Sequence, residues 1–166
     1  LVRWRSRPAV RAWTTRCDEA TSRSPLALAT DVARLACGAT GADGADELRA
    51  RLAERVERSS LATDSKRRVV DFVGEMIGAT TAASLALLAA RTDAMTMSDQ
   101  TQRAFVELLG MCCDEGPVLL SIDDAQWCDR ASFRLLEGAA RELESKPLAL
   151  VAVARPDLDV AFPAAF

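Results

Sequence analysis

Two runs of aliphatic residues near the end of the chain predict an α/β fold with a parallel sheet. Val118–Ile122 and Leu148–Val153 do not alternate between apolar and polar residues, as a strand with one solvent-exposed face would. Such runs are typical of strands that are covered on both faces. Between them, apolar residues recur at helical spacing: Phe133, Leu136, Ala140 and Leu143. A strand, a helix and a second strand in this order predict a βαβ unit with parallel strands and a right-handed crossover.

The region before this unit is predicted to hold one strand followed by helices. Val10–Cys17 has strand character, and a turn-rich stretch leads from it to Pro25. Apolar residues at helical spacing then predict helices near residues 26–36, 48–56, 69–77 and 98–113. Ser98 is the predicted N-cap of the last of these helices.

Composition indicates one globular domain, or a piece of one, and argues against general nucleic-acid binding. The chain has 166 residues, is 49% hydrophobic and carries a formal net charge of -3. Five arginines and no acid lie among the first sixteen residues: Arg3, Arg5, Arg7, Arg11 and Arg16. We interpret this run as a solvated basic strand rather than a phosphate-binding arm, because no aromatic platform for bases accompanies it.

Residue types that are absent or rare exclude several kinds of chemistry. The chain has no histidine, which excludes Ser-His-Asp and Cys-His catalysis and His-ligated metals within it. Its five cysteines include no Cys-x-x-Cys pair, which favours a reducing cytosol over a disulfide framework. The longest weakly polar stretch, Ile77–Ala90, is too short to span a bilayer, so no membrane insertion is expected.

Charged residues follow both predicted strands of the βαβ unit. Asp123 and Asp124 come directly after the first strand, and Arg155 follows the second. Parallel strands present their carboxyl ends at one edge, where α/β proteins bind ligands. Two adjacent acids there are costly to bury without a cation, so we favour a metal or nucleotide site over a solvated turn. Arg155 could face a phosphate, but on its own an arginine at a strand end more simply reaches water or a carboxylate.

Two residues after the acid pair have simpler structural interpretations. Trp127 could stack on a base, but we favour a place in the core for it. Asp129 stands where the following helix begins and is its predicted N-cap.

The stretch Val118–Ser132 resembles the Walker B region of the STAND-type AAA ATPases. In that family, four hydrophobic residues precede two acids, and a Trp, a small residue and an Asp follow after two further residues. Here the run Val118–Ile122 holds four hydrophobic residues and Ser121, and Trp127, Cys128 and Asp129 match the last three positions. Pro147–Asp157 is similar to the next strand of the family, which ends in a sensor arginine followed by a proline and an acid. Weaker likenesses lie at Arg16–Glu19, Ser24–Leu26 and Arg91–Gln102.

The resemblance implies a P-loop NTPase-like three-layer αβα fold with a parallel sheet, incomplete at the N-terminus. Residues 1–25 would be the strand and loop after a missing P-loop helix, residues 26–115 mainly helical, and residues 116–157 the Walker B strand, helix and sensor strand. The chain contains no G-x-x-x-x-G-K-[ST] phosphate-binding motif. By the resemblance, that Walker A motif is expected just before residue 1.

The resemblance also implies roles for the three charged residues. Asp123 would bind Mg²⁺, directly or through water, Asp124 would position or activate the attacking water, and Arg155 would sense the γ-phosphate of ATP. The chain would be a fragment of an ATP-hydrolysing switch domain, inactive alone, from a cytoplasmic bacterial signalling protein fused to a Ser/Thr protein kinase. Its partners would be nucleotide and the other domains of the parent chain, with self-association left open.

Two other functions remain open at the level of sequence. The chain could be a non-catalytic interaction or regulatory module that retains the ATPase fold, in which the acids have no catalytic task. A Mg²⁺-dependent phosphotransferase that uses the acid pair alone is weaker, because no nucleophile motif or further acidic ligand accompanies it.

Overall fold

Three parallel strands form one sheet in the order β1-β2-β3, in a computed structural model that describes residues 9–156 except 42 and 81. The strands are β1 (Arg11–Arg16), β2 (Val118–Asp123) and β3 (Leu148–Ala152). The register places Arg16 opposite Asp123, and Ile122 opposite Ala152. The prediction of an α/β chain with parallel strands is confirmed. The arginines at positions 3, 5 and 7 and the acid at position 157 lie outside the described residues.

Helices occupy most of the chain between the strands. The connection from β1 to β2 contains α1 to α6, with a π-helical turn at Val69–Val73 between α3 and α4, and α7 joins β2 to β3. Their bounds are α1 Ala27–Ala36, α2 Ala45–Arg58, α3 Thr63–Arg68, α4 Gly74–Met76, α5 Leu85–Ala90, α6 Ala94–Glu115 and α7 Arg130–Glu142. None of the described helices combines the length and the apolar character needed to cross a membrane.

Helix α6 begins earlier than the sequence predicted. Its N-cap is Asp93, whose carboxylate accepts hydrogen bonds from the amides of Met95 and Thr96 at 3.1 and 3.4 Å. Ser98 therefore lies inside the helix, and its predicted capping role is wrong. Aspartate and serine cap helices about equally well, so the position of the true cap depended on how far upstream the helix could pack.

One face of the sheet is buried against helices. Trp13, Val118, Leu120 and Ile122 alternate along β1 and β2 on this face and are each at most 6% exposed. Phe105 of α6 is the largest fully buried side chain and belongs to the same hydrophobic core as these residues. The guanidinium of Arg11, on the same face, donates to the Cys112 carbonyl of α6 at 3.2 Å.

The other face of the sheet is accessible in the described residues. Thr14, Ala149 and Val151 are exposed, and Leu119 and Ser121 are only partly buried. The expectation that the strand before the acid pair is covered on both faces is therefore wrong for the described part of the chain, which forms two layers of the expected three. The connections from β1 to β2 and from β2 to β3 cross the sheet in the same direction. Because both crossovers have the same hand, their helices lie on the same face of the sheet.

A buried carboxylate joins the beginnings of α1 and α7. Asp129 is 6% exposed and, as predicted, caps α7, with its Oδ1 accepting from the Ser132 amide at 2.9 Å. The same carboxylate accepts from the amides of Leu26 at 2.9 Å and Leu28 at 3.4 Å, at the start of α1. The Ser132 hydroxyl accepts from the Ala29 amide at 2.9 Å. Helix α1 has no capping side chain of its own, so α7 satisfies its first amides.

We expect Asp129→Ala to lower the free energy of unfolding by about 2–4 kcal/mol, because it leaves buried amides of two helices without an acceptor. Asp93→Ala is the matched control: it removes an exposed N-cap that serves one helix and should cost about 1 kcal/mol. Urea denaturation of both variants measures the difference. Equal losses would contradict the double capping role.

Candidate functional site

The acid pair lies where β2 leaves the sheet. Asp123 is the last residue of β2, and Asp124 follows with φ 53° and ψ 40°, in the left-handed region that aspartate tolerates better than most residues. This turn directs the chain into a short 3-10 helix, Ala125–Trp127. The two carboxylates differ in exposure as a result: the Asp123 side chain is 54% exposed and that of Asp124 is 23% exposed.

Arg16 is the charge partner of the acid pair. It ends β1 directly opposite Asp123, and its Nη2 and Nε lie 2.6 and 2.8 Å from Oδ2 of Asp124. Its Nε is 4.0 Å from Oδ2 of Asp123. The interpretation of the basic run as a solvated strand missed this contact. The signal was present in the sequence, because the end of a strand parallel to β2 must meet the same edge of the sheet.

Gln126 links Asp124 to the end of β3. Its Nε2 donates to Oδ1 of Asp124 at 3.1 Å, and its Oε1 accepts from the backbone amide of Arg155 at 3.1 Å. The side chain is 9% exposed, so these bonds are shielded from water. Sequence reasoning did not single out Gln126, since a lone amide carries no signal until its two partners are close in space.

Arg155 reaches the same edge as the acids. It follows β3, is exposed, and its positive charge contributes to lowering the pKa of Asp124. The structure therefore brings Asp123, Asp124 and Arg155 together, with Arg16 added on the opposite side. Trp127 is partly buried and packs against the core, although it also lines a small surface cleft beside Arg16.

Hydrogen bonds and charge keep Asp124 ionised. The Gln126 side chain, followed by the Arg16 guanidinium, holds the pKa of Asp124 below its usual range. The reciprocal contact raises the pKa of Arg16. A carboxylate that is always ionised near neutral pH can accept a hydrogen bond from water, and it takes up a proton only weakly.

The carboxylate at this edge fits a magnesium ion that is held mainly by water and by the phosphates of a bound nucleotide. Asp123 presents an exposed carboxylate, and Mg²⁺ commonly uses one or two carboxylates together with waters and substrate phosphates. Within the described part of the chain, no group of three or more acidic, histidine or cysteine side chains could hold a metal by itself. Asp123 is the residue that would hold such an ion.

Comparison with known proteins leaves the family open. No family model matches the sequence, and no solved structure matches it. Over 88 residues, 53% of this chain, it is 31% identical to an uncharacterized protein of Rhizobium meliloti (strain 1021). The matched residues are 8% of that relative, so the similarity covers a small part of a much longer protein.

We expect Arg16→Gln to raise the pKa of Asp124 toward its ordinary value, because a charged hydrogen-bond donor is lost while Gln126 remains. NMR titration of the side-chain carboxyl carbon measures the shift. Arg141→Gln, which removes an exposed guanidinium paired with Glu137 on α7, is the control and should leave Asp124 unchanged. An unaltered titration of Asp124 in Arg16→Gln would show that the ion pair does not form in solution.

Proposed function

We propose that this chain is part of an ATP-binding and hydrolysing switch domain of the STAND-type AAA class. The observation that carries the proposal is the convergence of Asp123, Asp124, Arg16 and Arg155 at the carboxyl edge of a parallel sheet. Ligands of open α/β sheets bind at this edge. In the proposal, the parent is a cytoplasmic bacterial signalling protein that carries a Ser/Thr protein kinase domain.

In the proposal, each charged residue at this edge has its own role in phosphoryl transfer. Mg²⁺ held by Asp123 would neutralise charge on the phosphates. Asp124, kept ionised by Gln126 and Arg16, accepts a hydrogen bond from the attacking water and orients it. Arg155 would supply a guanidinium to pair with the γ-phosphate. A phosphate bound beside Arg16 would compete with the Asp124 carboxylate for the Arg16 guanidinium.

Exposed apolar surface supports the P-loop-like part of the proposal. Val151 and Val153 are 47% and 57% exposed on and just after β3, although the run to which they belong has the composition of a buried strand. An open apolar pocket, whose walls include Leu136 and Leu150, lies between β3 and α7. A helix over the open face would cover Val151, and a further parallel strand beside β3 would border the pocket on the other face. In the proposal, that unit lies upstream of Leu1 and carries the Walker A motif.

One observation favours a second candidate, a non-catalytic interaction module with the same fold. Both carboxylate oxygens of Asp124 already have protein partners, Arg16 on Oδ2 and Gln126 on Oδ1. An acid satisfied in this way can act purely as a structural link between β1, β2 and β3. The two candidates differ in whether Asp123 matters for turnover.

In the parent protein, we expect Asp123→Asn to lower Mg²⁺-dependent ATP turnover by about 100-fold, because the metal loses its charged protein ligand. Asp99→Asn is the control: it alters an exposed acid paired with Arg103 on α6 and should leave turnover unchanged. A steady-state phosphate-release assay measures both. Unchanged turnover in Asp123→Asn would favour the interaction module.

Nucleotide affinity tests the role of the upstream segment. We expect a form extended upstream of Leu1 to bind Mg²⁺-ATP, and the 166-residue chain to bind it weakly or not at all, because backbone amides and a lysine supply most phosphate affinity. Isothermal titration calorimetry compares the two forms. Equal, Mg²⁺-dependent binding by both would contradict the expected division of the site.

Hydrogen exchange tests the added strand separately from ATP binding. We expect the amides of β3 to be better protected in the extended form than in the 166-residue chain, because a new strand supplies partners along the open edge. The amides of β2, which is paired on both sides, serve as the internal reference. Equal protection of β3 in both forms would argue against a strand at this position.

A further inference from the structure

Gln126 joins two strand ends at the candidate site through both polar atoms of its side chain. Its Nε2 donates to Oδ1 of Asp124, which follows β2, and its Oε1 accepts from the backbone amide of Arg155, which lies beyond β3, each at 3.1 Å. An amide side chain suits these partners, because it presents a donor to the carboxylate and an acceptor to the backbone N–H. Exchanging its oxygen and nitrogen would set two acceptors against each other at Asp124 and two donors at Arg155.

The backbone next to Gln126 is tied to the end of β3 as well. The Ala125 amide donates to the Val153 carbonyl at 2.9 Å. Pro156 follows Arg155 and disfavours the helical conformation for it, which keeps this part of the chain extended. The turn after β2 and the end of β3 therefore form one hydrogen-bonded unit, and the Gln126 side chain supplies its link to residue 155.

Gln126 is buried although it is polar. It is 9% exposed, and an apolar side chain of similar length would fill the same space without removing an amide from water. Packing alone therefore does not account for a glutamine at this position. Water competes poorly for a buried amide, and the hydrogen bond to the Asp124 carboxylate is charge-assisted, so the side chain holds both of its partners firmly.

We propose that Gln126 is a positioning residue that couples Arg155 to Asp124 during ATP hydrolysis. By fixing the backbone of Arg155 relative to the Asp124 carboxylate, it sets the distance between the guanidinium that would pair with the γ-phosphate and the carboxylate that orients the attacking water. A misplacement of about 1 Å at such a site can lower the rate by about 100-fold. The inference rests on the proposed function, and it assigns Gln126 no contact with the nucleotide.

Hydrogen exchange in the 166-residue chain tests the link without any nucleotide. We expect the Arg155 amide to exchange about tenfold or more slowly than in an unstructured peptide, because Gln126 accepts a hydrogen bond from it. Gln126→Met should remove this protection. Gln102→Met is the matched control: it removes an amide that donates to the Leu135 carbonyl between α6 and α7, and it should leave Arg155 protected.

Two outcomes of the exchange experiment would overturn the link. One is an unprotected Arg155 amide in the unmodified chain, and the other is protection that persists in Gln126→Met. Because the first outcome needs no variant, the link stays open to contradiction even where Gln126→Met does not fold.

Kinetics of the parent protein test the positioning role. We expect Gln126→Met to lower kcat by about tenfold or more and to change KM for Mg²⁺-ATP by less than about threefold, because the residue orients groups that act in the transition state. Gln102→Met should change neither constant. A rise in KM with kcat unchanged would contradict positioning, since it reports a loss of binding alone.

A double variant tests whether Gln126 acts through Arg155. If it does, Gln126→Met should lower kcat less in a protein that already carries Arg155→Gln than in the otherwise unmodified protein. Losses that simply multiply would show that the two residues act independently, against the proposed coupling. Unchanged kcat in Gln126→Met, in a parent that hydrolyses ATP, would overturn this inference alone. A parent without Mg²⁺-dependent ATP turnover would overturn the proposed function as well.

Discussion

The carboxylate of Asp129 holds together the two parts of the chain on which the rest of the structure depends. It accepts hydrogen bonds from the Ser132 amide in α7 and from the amides of Leu26 and Leu28 at the start of α1, about a hundred positions away in sequence. A buried carboxylate is costly unless it is well hydrogen-bonded, so this arrangement is stable only when both helices are in place. It therefore fixes the loop after β1 against the loop after β2.

The candidate site is built on the same junction. With the two loops held together, the parallel register places Arg16 beside Asp123, and the left-handed turn at Asp124 directs its carboxylate toward Arg16 and Gln126. Gln126 extends the connection to the backbone of Arg155. Three strand ends are thus linked by hydrogen bonds and charge, and the exposed carboxylate of Asp123 is left available for a ligand.

Much of the local structure could be predicted, and the errors have physical causes. The aliphatic run before Asp123 is a strand, and Asp129 caps the next helix, because both depend on residues near in sequence. Ser98 was the wrong cap because Asp93 upstream offered an equivalent one. The strands were expected to be covered on both faces, yet the described helices cover one, because composition reports what a strand is suited to and not which neighbours are present.

The sequence by itself determined the order of the strands, the acid pair at a strand end and Asp129 as the residue that caps α7. Hydrophobic periodicity and capping act over a few residues, so they can be read without coordinates. Only the tertiary structure decided that Arg16 pairs with Asp124 and that Gln126 links Asp124 to Arg155. These contacts join strands and loops far apart in the chain, and their geometry is set by strand register and core packing, which no local pattern encodes.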